Sequence, residues 1–300
     1  MCASRHPMAL FDLVVEQVCR CRARMGLTRR AFGLIRSLLI YHAIPLRQRR
    51  MRRLYRQFVD PGDLAFDIGA HAGNRSRALV ALGCRVVALE PQPDFARLLN
   101  TVFAGTRHVA IVRAAVAASS GDGWLSVSER TPTVSTLASA WRDARAREPR
   151  FGGVTWNQRV QVPVVTLDDL IARYGEPAFV KIDVEGSEPA VLAGLSRPLR
   201  AVSFEYLPDV IDEVRACVDR LGQLAGDDWR YEFNWSVGES YELASPHWVD
   251  GAALVSFLAA IDHAARAGDV YARRTNRDLR LEADRVSPRD PHAKPQKRKE

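Results

Sequence analysis

The sequence predicts an α/β protein built on a mostly parallel sheet with helices on both of its faces. The first observation behind this prediction is a strand–turn–helix–strand pattern over residues 64–91, which is typical of one half of a nucleotide-binding βαβ unit. The second is a series of short, continuous apolar runs, which suit parallel strands covered on both sides. A length of 300 residues allows one large domain with extensions, or two small ones.

The turn of the first unit, DIGAHAG at residues 67–73, has the composition of a ligand-binding loop. Gly69 and Gly73 let the backbone approach a ligand without a Cβ in the way, and a helix starting near Gly73 would direct free N–H groups into the turn. The loop lacks the G-x-G-x-x-G spacing of nicotinamide sites, because His71 stands at the middle glycine position. Asp67 would repel a pyrophosphate but suits a ligand with an amine and a sulfonium. These features predict S-adenosylmethionine (SAM), with a dinucleotide site or a purely structural turn as the alternatives.

Further candidates for the donor site lie at the ends of the next two strands. Glu90 ends the second strand, where a carboxylate can accept both hydroxyl groups of a ribose. A third strand is predicted over residues 108–117 and includes Ala115, and the residues after it, 118–120, fall where an adenine would be flanked. The predicted SAM-binding residues are Asp67, Gly69, Ala70, His71, Gly73, Glu90, Pro91, Ala115 and Asp183.

The second informative stretch is AFVKIDVEGSEPAVLAG at residues 178–194. It predicts a strand that ends at Asp183, followed by a glycine turn and a helix. A later apolar strand over residues 201–206 carries Glu205 near its end. In a doubly wound sheet the carboxyl ends of the strands face the ligand crevice. Four acids are therefore predicted to face one crevice, namely Asp67, Glu90, Asp183 and Glu205.

Several sequence blocks, in their order along the chain, resemble the FkbM family of SAM-dependent methyltransferases. The most specific is KIDVEGSEPAVLAG at 181–194, and the others are DIGAHAG at 67–73, VVALEPQP at 86–93, VTLDDL at 165–170, VSFEY at 202–206 and GDVYARR at 268–274. The resemblance implies a Rossmann-like class I methyltransferase fold, with a seven-stranded, mostly parallel sheet. It also implies SAM-dependent methyl transfer, typically to an oxygen of a small molecule or glycan.

A hydroxyl acceptor must lose its proton during such a transfer, so a general base is expected. Asp183 is the first candidate for this catalytic role, and Glu205 is the second. His71 is the third, because imidazole titrates near neutrality, although a loop residue that only bonds the backbone is the alternative. Asp183 and Glu205 could instead hold a divalent cation through oxygen ligands. Two carboxylates are a weak metal signal, so no metal ligand is assigned.

The sequence leaves three classes of function open. The first is an enzyme that methylates a hydroxylated small molecule, sugar or glycolipid, and the intact donor motif favours it. The second is a binding or scaffold protein that keeps the fold without turnover. The third is a methyltransferase acting on nucleic acid. Residues 1–60 carry thirteen Arg and three acids, a net charge of +10, so the rest of the chain sums to −2. A uniform nucleic-acid-binding surface is therefore not implied.

Composition divides the chain into three predicted segments. Residues 1–57 form a basic helical extension, residues 58–278 the methyltransferase domain with 129–156 as a candidate substrate lid, and residues 279–300 a disordered basic tail. Residues 32–44 are apolar but too short to span a bilayer, which needs about 20 such residues. Flanking arginines leave peripheral membrane contact open, beside the alternative of a helix packed on the domain.

The cysteines point to a reducing compartment. The five of them form no CxxC pair and no metal array, and no secretory signal precedes them. A cytoplasmic location, with or without contact to a membrane surface, is therefore expected.

Overall fold

The computed structural model describes residues 45–128, 134–147, 154–262 and 266–276. The predicted tail, the apolar run at 32–44 and two parts of the candidate lid, 129–133 and 148–153, lie outside the described residues. Among the described residues, no helix has the length and apolar character that a membrane crossing requires.

The described part of the chain forms ten strands in two sheets. The strands are β1 (Leu64–Ile68), β2 (Arg85–Leu89), β3 (Val109–Val112), β4 (Ala115–Val116), β5 (Gly121–Val127), β6 (Gln158–Val165), β7 (Phe179–Ile182), β8 (Ala201–Tyr206), β9 (Trp229–Val237) and β10 (Gly268–Asn276). The main sheet has seven strands in the order β3-β2-β1-β7-β8-β10-β9. Its first five strands are mutually parallel, and β10 runs antiparallel to both of its neighbours. The predicted seven-stranded, mostly parallel sheet is confirmed.

Helices cover both faces of the main sheet. They are α1 (Pro45–Tyr55), α2 (Asn74–Val80), α3 (Pro93–Val102), α4 (Ser139–Arg145), α5 (Leu167–Tyr174), α6 (Glu188–Ala193), α7 (Ile211–Ala225) and α8 (Gly251–Ala259). One core packs α5 to α8 against alternate strand residues such as Phe66 and Val180. A second core packs α1 to α3 against the opposite face, at residues such as Ala65 and Val86. Alternation along β1 thus divides its side chains between two cores.

The predicted third strand, 108–117, is wrong in one respect, because it is two strands in two sheets. β3 pairs with β2 as far as Val112, which faces Leu89, the last residue of β2. Beyond this point β2 offers no partner, and the chain turns so that β4 pairs with β6. β4, β6 and β5 form a separate three-stranded sheet beside the carboxyl edge of the main one.

Helix α1 lies in the segment that the sequence assigns to a basic extension, and one of its faces belongs to the core. Met51, Leu54 and Tyr55 are buried against α2 and the sheet. Phe58, just after the helix, stacks between Phe179 and Tyr271, with ring centroids 5.2 and 5.6 Å away. One face of residues 45–59 is therefore part of the second core.

Candidate active site

A cavity of about 810 Å³, its open mouth included, lies at the carboxyl edge of the main sheet. Ligand pockets commonly have volumes of about 300–1,000 Å³. The walls come from the turns after β1, β2 and β7, from residues 114–116, and from residues 135–137 of the candidate lid. Six of the nine predicted donor-site residues line it: Gly69, His71, Glu90, Pro91, Ala115 and Asp183.

Glu90 is the acidic group on the β2 side of the cavity, and it is 3% exposed. Its Oε2 accepts a hydrogen bond from the backbone N–H of His71 at 2.9 Å, and its Oε1 accepts one from Gln92 at 2.8 Å. Burial raises the pKa of Glu90 to about 7, although these two bonds oppose the rise. Each carboxylate oxygen keeps a second lone pair, so the group can still accept hydroxyl donors from a ligand.

Asp67 was expected at the ligand, but its side chain lies beneath the turn and does not line the cavity. The carboxyl is fully buried, and its Oδ2 accepts a hydrogen bond from Ser76 Oγ at 2.5 Å. Burial raises its pKa, while the bond from Ser76 opposes this rise. The position follows from the alternation of β1, which directs Asp67 towards the face covered by α2. Asp67 therefore ties the helix to the strand from below.

Two further donor-site candidates, Ala70 and Gly73, also lie outside the cavity lining. Gly73 has φ 78°, and a Cβ there would lie 2.8 Å from side-chain atoms of Leu99 and Phe103. The close approach that this glycine permits is therefore to side chains of α3 and of the residue that follows it. Ala70 is buried, and its N–H donates to the Leu89 carbonyl at 2.8 Å.

Gly69 joins the two halves of the site. Its φ of 80° is in the left-handed region, and a Cβ there would lie 1.8 Å from the carbonyl oxygen of Asp183. The N–H of Asp183 donates to the Ile68 carbonyl at 3.0 Å. No side chain fits between these two turns, so glycine is required for the turn after β1 to lie against the turn after β7.

Asp183 is the acidic group on the β7 side of the cavity, and two cations hold it. Arg75, in the first turn of α2, lies 3.2 Å from Asp183 Oδ2, and Lys181 Nζ lies 3.5 Å from the same atom. Burial of the carboxyl opposes ionisation, but Lys181 and Arg75 outweigh it, and the pKa of Asp183 is lowered. Asp183 is thus ionised at neutral pH.

Lys181 is fully buried and bridges two carboxylates. Its Nζ lies 2.8 Å from Oδ1 of Asp269 and donates to the carbonyl of Ile182 at 3.0 Å. Burial lowers the pKa of Lys181, but Asp183 and Asp269 outweigh this effect and raise it. The ammonium therefore stays charged and links β7 to β10.

Asp183, Glu185 and Glu205 form an acidic cluster, with one carboxylate oxygen from each lying within 4.8 Å of the others. The sequence expectation that Asp183 and Glu205 lie together agrees with this spacing, although Glu205 does not line the cavity itself. Burial and then the neighbouring acids raise the pKa of Glu185 and of Glu205 well above the ordinary value. Asp183 is thus the member of the cluster whose pKa is lowered.

Part of the candidate lid forms the wall opposite the β1 turn. Thr136 Oγ1 donates to the Glu185 carbonyl at 2.8 Å. The indole of Trp141 in α4 covers Gly186, where a Cβ would lie 1.9 Å from its Cδ1 atom. Arg145, 1% exposed, forms an ion pair with Asp209. Residues 134–147 are therefore fixed to the turn after β7 and to the segment after β8.

His71, the third candidate base, lies in the turn after β1 with φ 47°. Its ring packs on Phe95 with centroids 4.0 Å apart, and its N–H is the donor to Glu90 described above. The residue lines the cavity. The backbone bond to Glu90 agrees with the reading of His71 as a loop residue that organises the turn.

Sequence reasoning assigned no role to Arg75, Lys181, Thr136 or Asp269. A signal existed for two of them. Lys181 lies two positions before Asp183 on one strand, so both side chains share a face. Arg75 follows Gly73 in the first turn of the helix that opens at the ligand loop. Thr136 and Asp269 reach the site only through tertiary structure.

The strand order, the antiparallel β10 and the cavity at the glycine turn define the protein as having a Rossmann-like class I methyltransferase fold. The profile described as "Methyltransferase FkbM domain" matches residues 67–224. The chain belongs to the FkbM methyltransferase family.

Known proteins similar to this chain include the hexuronic acid methyltransferase AglP of Haloferax volcanii, 28% identical over 174 residues. The match covers 56% of this chain and 62% of that protein. An O-methyltransferase from Bacillus cereus, solved in complex with SAH, matches with a TM-score of 0.40 and 15% identity, over 87% of this chain and 90% of that one. A putative O-methyltransferase from Klebsiella pneumoniae matches with a TM-score of 0.41 and 10% identity, over 80% and 89%.

Proposed function

We propose that this protein transfers a methyl group from SAM to a hydroxyl group of a sugar or of a sugar-bearing small molecule or lipid. The observation that carries the proposal is that Glu90 and Asp183 line one cavity, one at the β2 side and one at the β7 side. A carboxylate suited to a ribose and an ionised carboxylate suited to an acceptor hydroxyl thus share one chamber. The sugar class is supported by the similarity to a protein named for a hexuronic acid.

The residues that would hold SAM fit its chemistry. Glu90 has free lone pairs for the ribose hydroxyls. The apolar side chains of Ala115, Val116 and Leu125 line the cavity and suit the adenine ring of SAM. Asp183 supplies the negative charge that a cationic ligand needs. When bound, SAM supplies a methyl group that its sulfonium has already activated.

The chain's own contribution is to position the acceptor and to take its proton. Asp183 is ionised because Lys181 and Arg75 offset the cost of its burial. It can accept a hydrogen bond from the acceptor hydroxyl, orient the oxygen and receive the proton as the methyl bond forms. Glu205 holds its own proton until the pH exceeds its raised pKa, so it is the second candidate.

A divalent metal is not needed in this proposal. Lys181 and Arg75 already supply positive charge beside Asp183. Asp183, Glu185 and Glu205 offer oxygen ligands at a spacing that a hard cation could occupy, so chelation is the direct test. The proposal also includes a cytoplasmic location and contact of the basic N-terminal part with a membrane surface.

The proposal is tested by calorimetric titration of SAM and by turnover with hydroxylated sugars, hexuronic acids included. The wild type is expected to bind SAM, and Asp183→Asn to lose about 10²–10⁴-fold in kcat at saturating SAM, the usual contribution of a general base. Glu205→Gln is the matched control, with a smaller loss expected because Glu205 does not line the cavity. Failure of the wild type to bind SAM would refute the donor. Binding without turnover on any acceptor, nucleic acids included, would favour the scaffold alternative.

A further inference from the structure

Helix α1 concentrates positive charge on the surface of the domain. Residues 45–59 contain six arginines and neither Asp nor Glu. The apolar side chains of Met51, Leu54 and Tyr55 are buried against the domain. The arginines therefore occupy the part of the helix that the core does not use.

Four of these arginines form one exposed stripe, which we call the arginine face: Arg49, Arg50, Arg53 and Arg56. Within the described ranges, none of the four has an ion-pair partner. The other two are engaged, since Arg47 pairs with Glu239 and the Arg52 side chain donates to the Gln48 carbonyl.

The arginine face is unfavourable for the isolated protein. Arg49 and Arg53 are four residues apart on the helix, a spacing at which like charges repel, and Arg56 follows in the turn after it. No acid within α1 compensates them. The positive charge of the six arginines is also not typical of the rest of the chain, since residues 61–300 have a net charge of −2. An external anionic surface would relieve this repulsion.

The arginine face begins beside the cavity. The side-chain amide of Gln48, next to Arg49, donates to the Asn74 carbonyl at 3.0 Å, and Asn74 lines the cavity. Leu46, in the first turn of α1, is 62% exposed. The end of α1 nearest the cavity thus combines positive charge with an exposed apolar side chain, a combination that suits the interface of a bilayer.

We propose that the arginine face of α1 docks the protein on an anionic lipid bilayer, with the end of α1 near the cavity held at the membrane surface. A nucleic acid fits less well, because the basic footprint is a single helix and residues 61–300 have a net charge of −2. Docking does not depend on the reaction proposed above. It would bring the cavity close to acceptors carried by membrane lipids.

The test is co-sedimentation of the full chain with vesicles of phosphatidylcholine, alone or mixed with phosphatidylglycerol. An arginine near an anionic leaflet contributes about fivefold to partitioning. Replacing all four arginines by Glu should therefore lower the partition coefficient by at least about a hundredfold. Replacing them by Gln should give a smaller loss in the same direction. Raising the salt from ~0.15 M to ~1 M should release the wild type, because the Debye length falls to about 3 Å.

The matched control replaces four exposed arginines elsewhere, Arg85, Arg107, Arg173 and Arg197, by Glu. It carries the same change of net charge and should keep most of the binding. A thermal unfolding transition establishes that each variant is folded. If the variant with four Glu is not folded, the variant with four Gln is used for the comparison. The proposal is refuted if the wild type ignores phosphatidylglycerol, if the α1 variants bind as well as the wild type, or if the control loses binding equally. The proposal is also refuted if the α1 variants lose binding to nucleic acid while their binding to vesicles is unchanged.

Discussion

The two halves of the cavity hold acidic residues in opposite ways. On the β1–β2 half, Asp67 and Glu90 are held by neutral donors, a hydroxyl and two backbone N–H groups, and burial raises both pKa values. On the β7–β10 half, Lys181 and Arg75 lower the pKa of Asp183. Burial is common to both halves. The cations within about 4 Å of Asp183 therefore account for the opposite direction of its pKa shift.

The largest effect is expected from removing Lys181, the cation that bridges β7 and β10. Lys181→Met leaves Asp269 without its 2.8 Å partner and Asp183 with Arg75 alone. Loss of one member of a buried ion pair costs about 3–5 kcal/mol. We expect a fall of that size in the free energy of unfolding, measured in urea.

The matched control for Lys181 is Arg200→Gln. Arg200 is half exposed and lies 3.4 Å from Asp63. Exposed pairs of this kind are worth about 0–1 kcal/mol. Equal losses in the two variants would mean that burial of the Lys181 bridge adds nothing.

Gly69→Ala tests the contact between the two halves. The added methyl group would meet the Asp183 carbonyl, and the backbone would have to keep φ at 80°. We expect SAM affinity and turnover both to fall, and the free energy of unfolding to drop by more than the ~1–3 kcal/mol of backbone strain alone. Gly105→Ala is the control, since Gly105 has φ 78° and no atom near the position of a Cβ. Identical effects at both glycines would show that only the dihedral matters.

Glu90 gives the comparison a pH signature. Its pKa of about 7 means that the carboxyl is mostly protonated at pH 6 and mostly ionised at pH 8. Because the ionised form is the better acceptor for ribose hydroxyls, SAM affinity should rise through this range. In Glu90→Gln the rise should vanish, with affinity about tenfold below that of the wild type at pH 8.

Glu213 is the control for the pH experiment. Burial raises its pKa to about 7 as well, but it lies in α7, away from the cavity. Glu213→Gln should therefore keep the wild-type pH dependence. If the pH dependence of SAM affinity remained in Glu90→Gln and disappeared in Glu213→Gln, it would belong to Glu213 and not to Glu90.

The smallest expected effect is that of metal removal. Lys181 and Arg75 already place positive charge at Asp183, so treatment with EDTA should leave turnover within about twofold. Turnover that collapses in EDTA and returns with Mg²⁺ would instead identify Asp183, Glu185 and Glu205 as ligands.

What the sequence could predict is local. Glu90 and Asp183 each end a strand within a short motif, so alternation and the rule for parallel sheets sufficed to bring them to one edge. The division of residues 108–117 between two sheets was not predictable, because it depends on where β2 ends and on where β6 lies. The state of Asp183 was not predictable either. Its cation Lys181 is fixed by Asp269, whose position follows from the pairing of β10 with β8.

The position of Asp269 in the last described strand has a consequence for how the protein is made. The groups that bond Asp67 and Glu90 on the β1–β2 half of the cavity all lie before residue 93, so they leave the ribosome early in synthesis. The other half stays incomplete until β10 has left the ribosome and inserted beside β8. A nascent chain truncated before Asp269 would carry Lys181 and Asp183 without the strand that holds them in place.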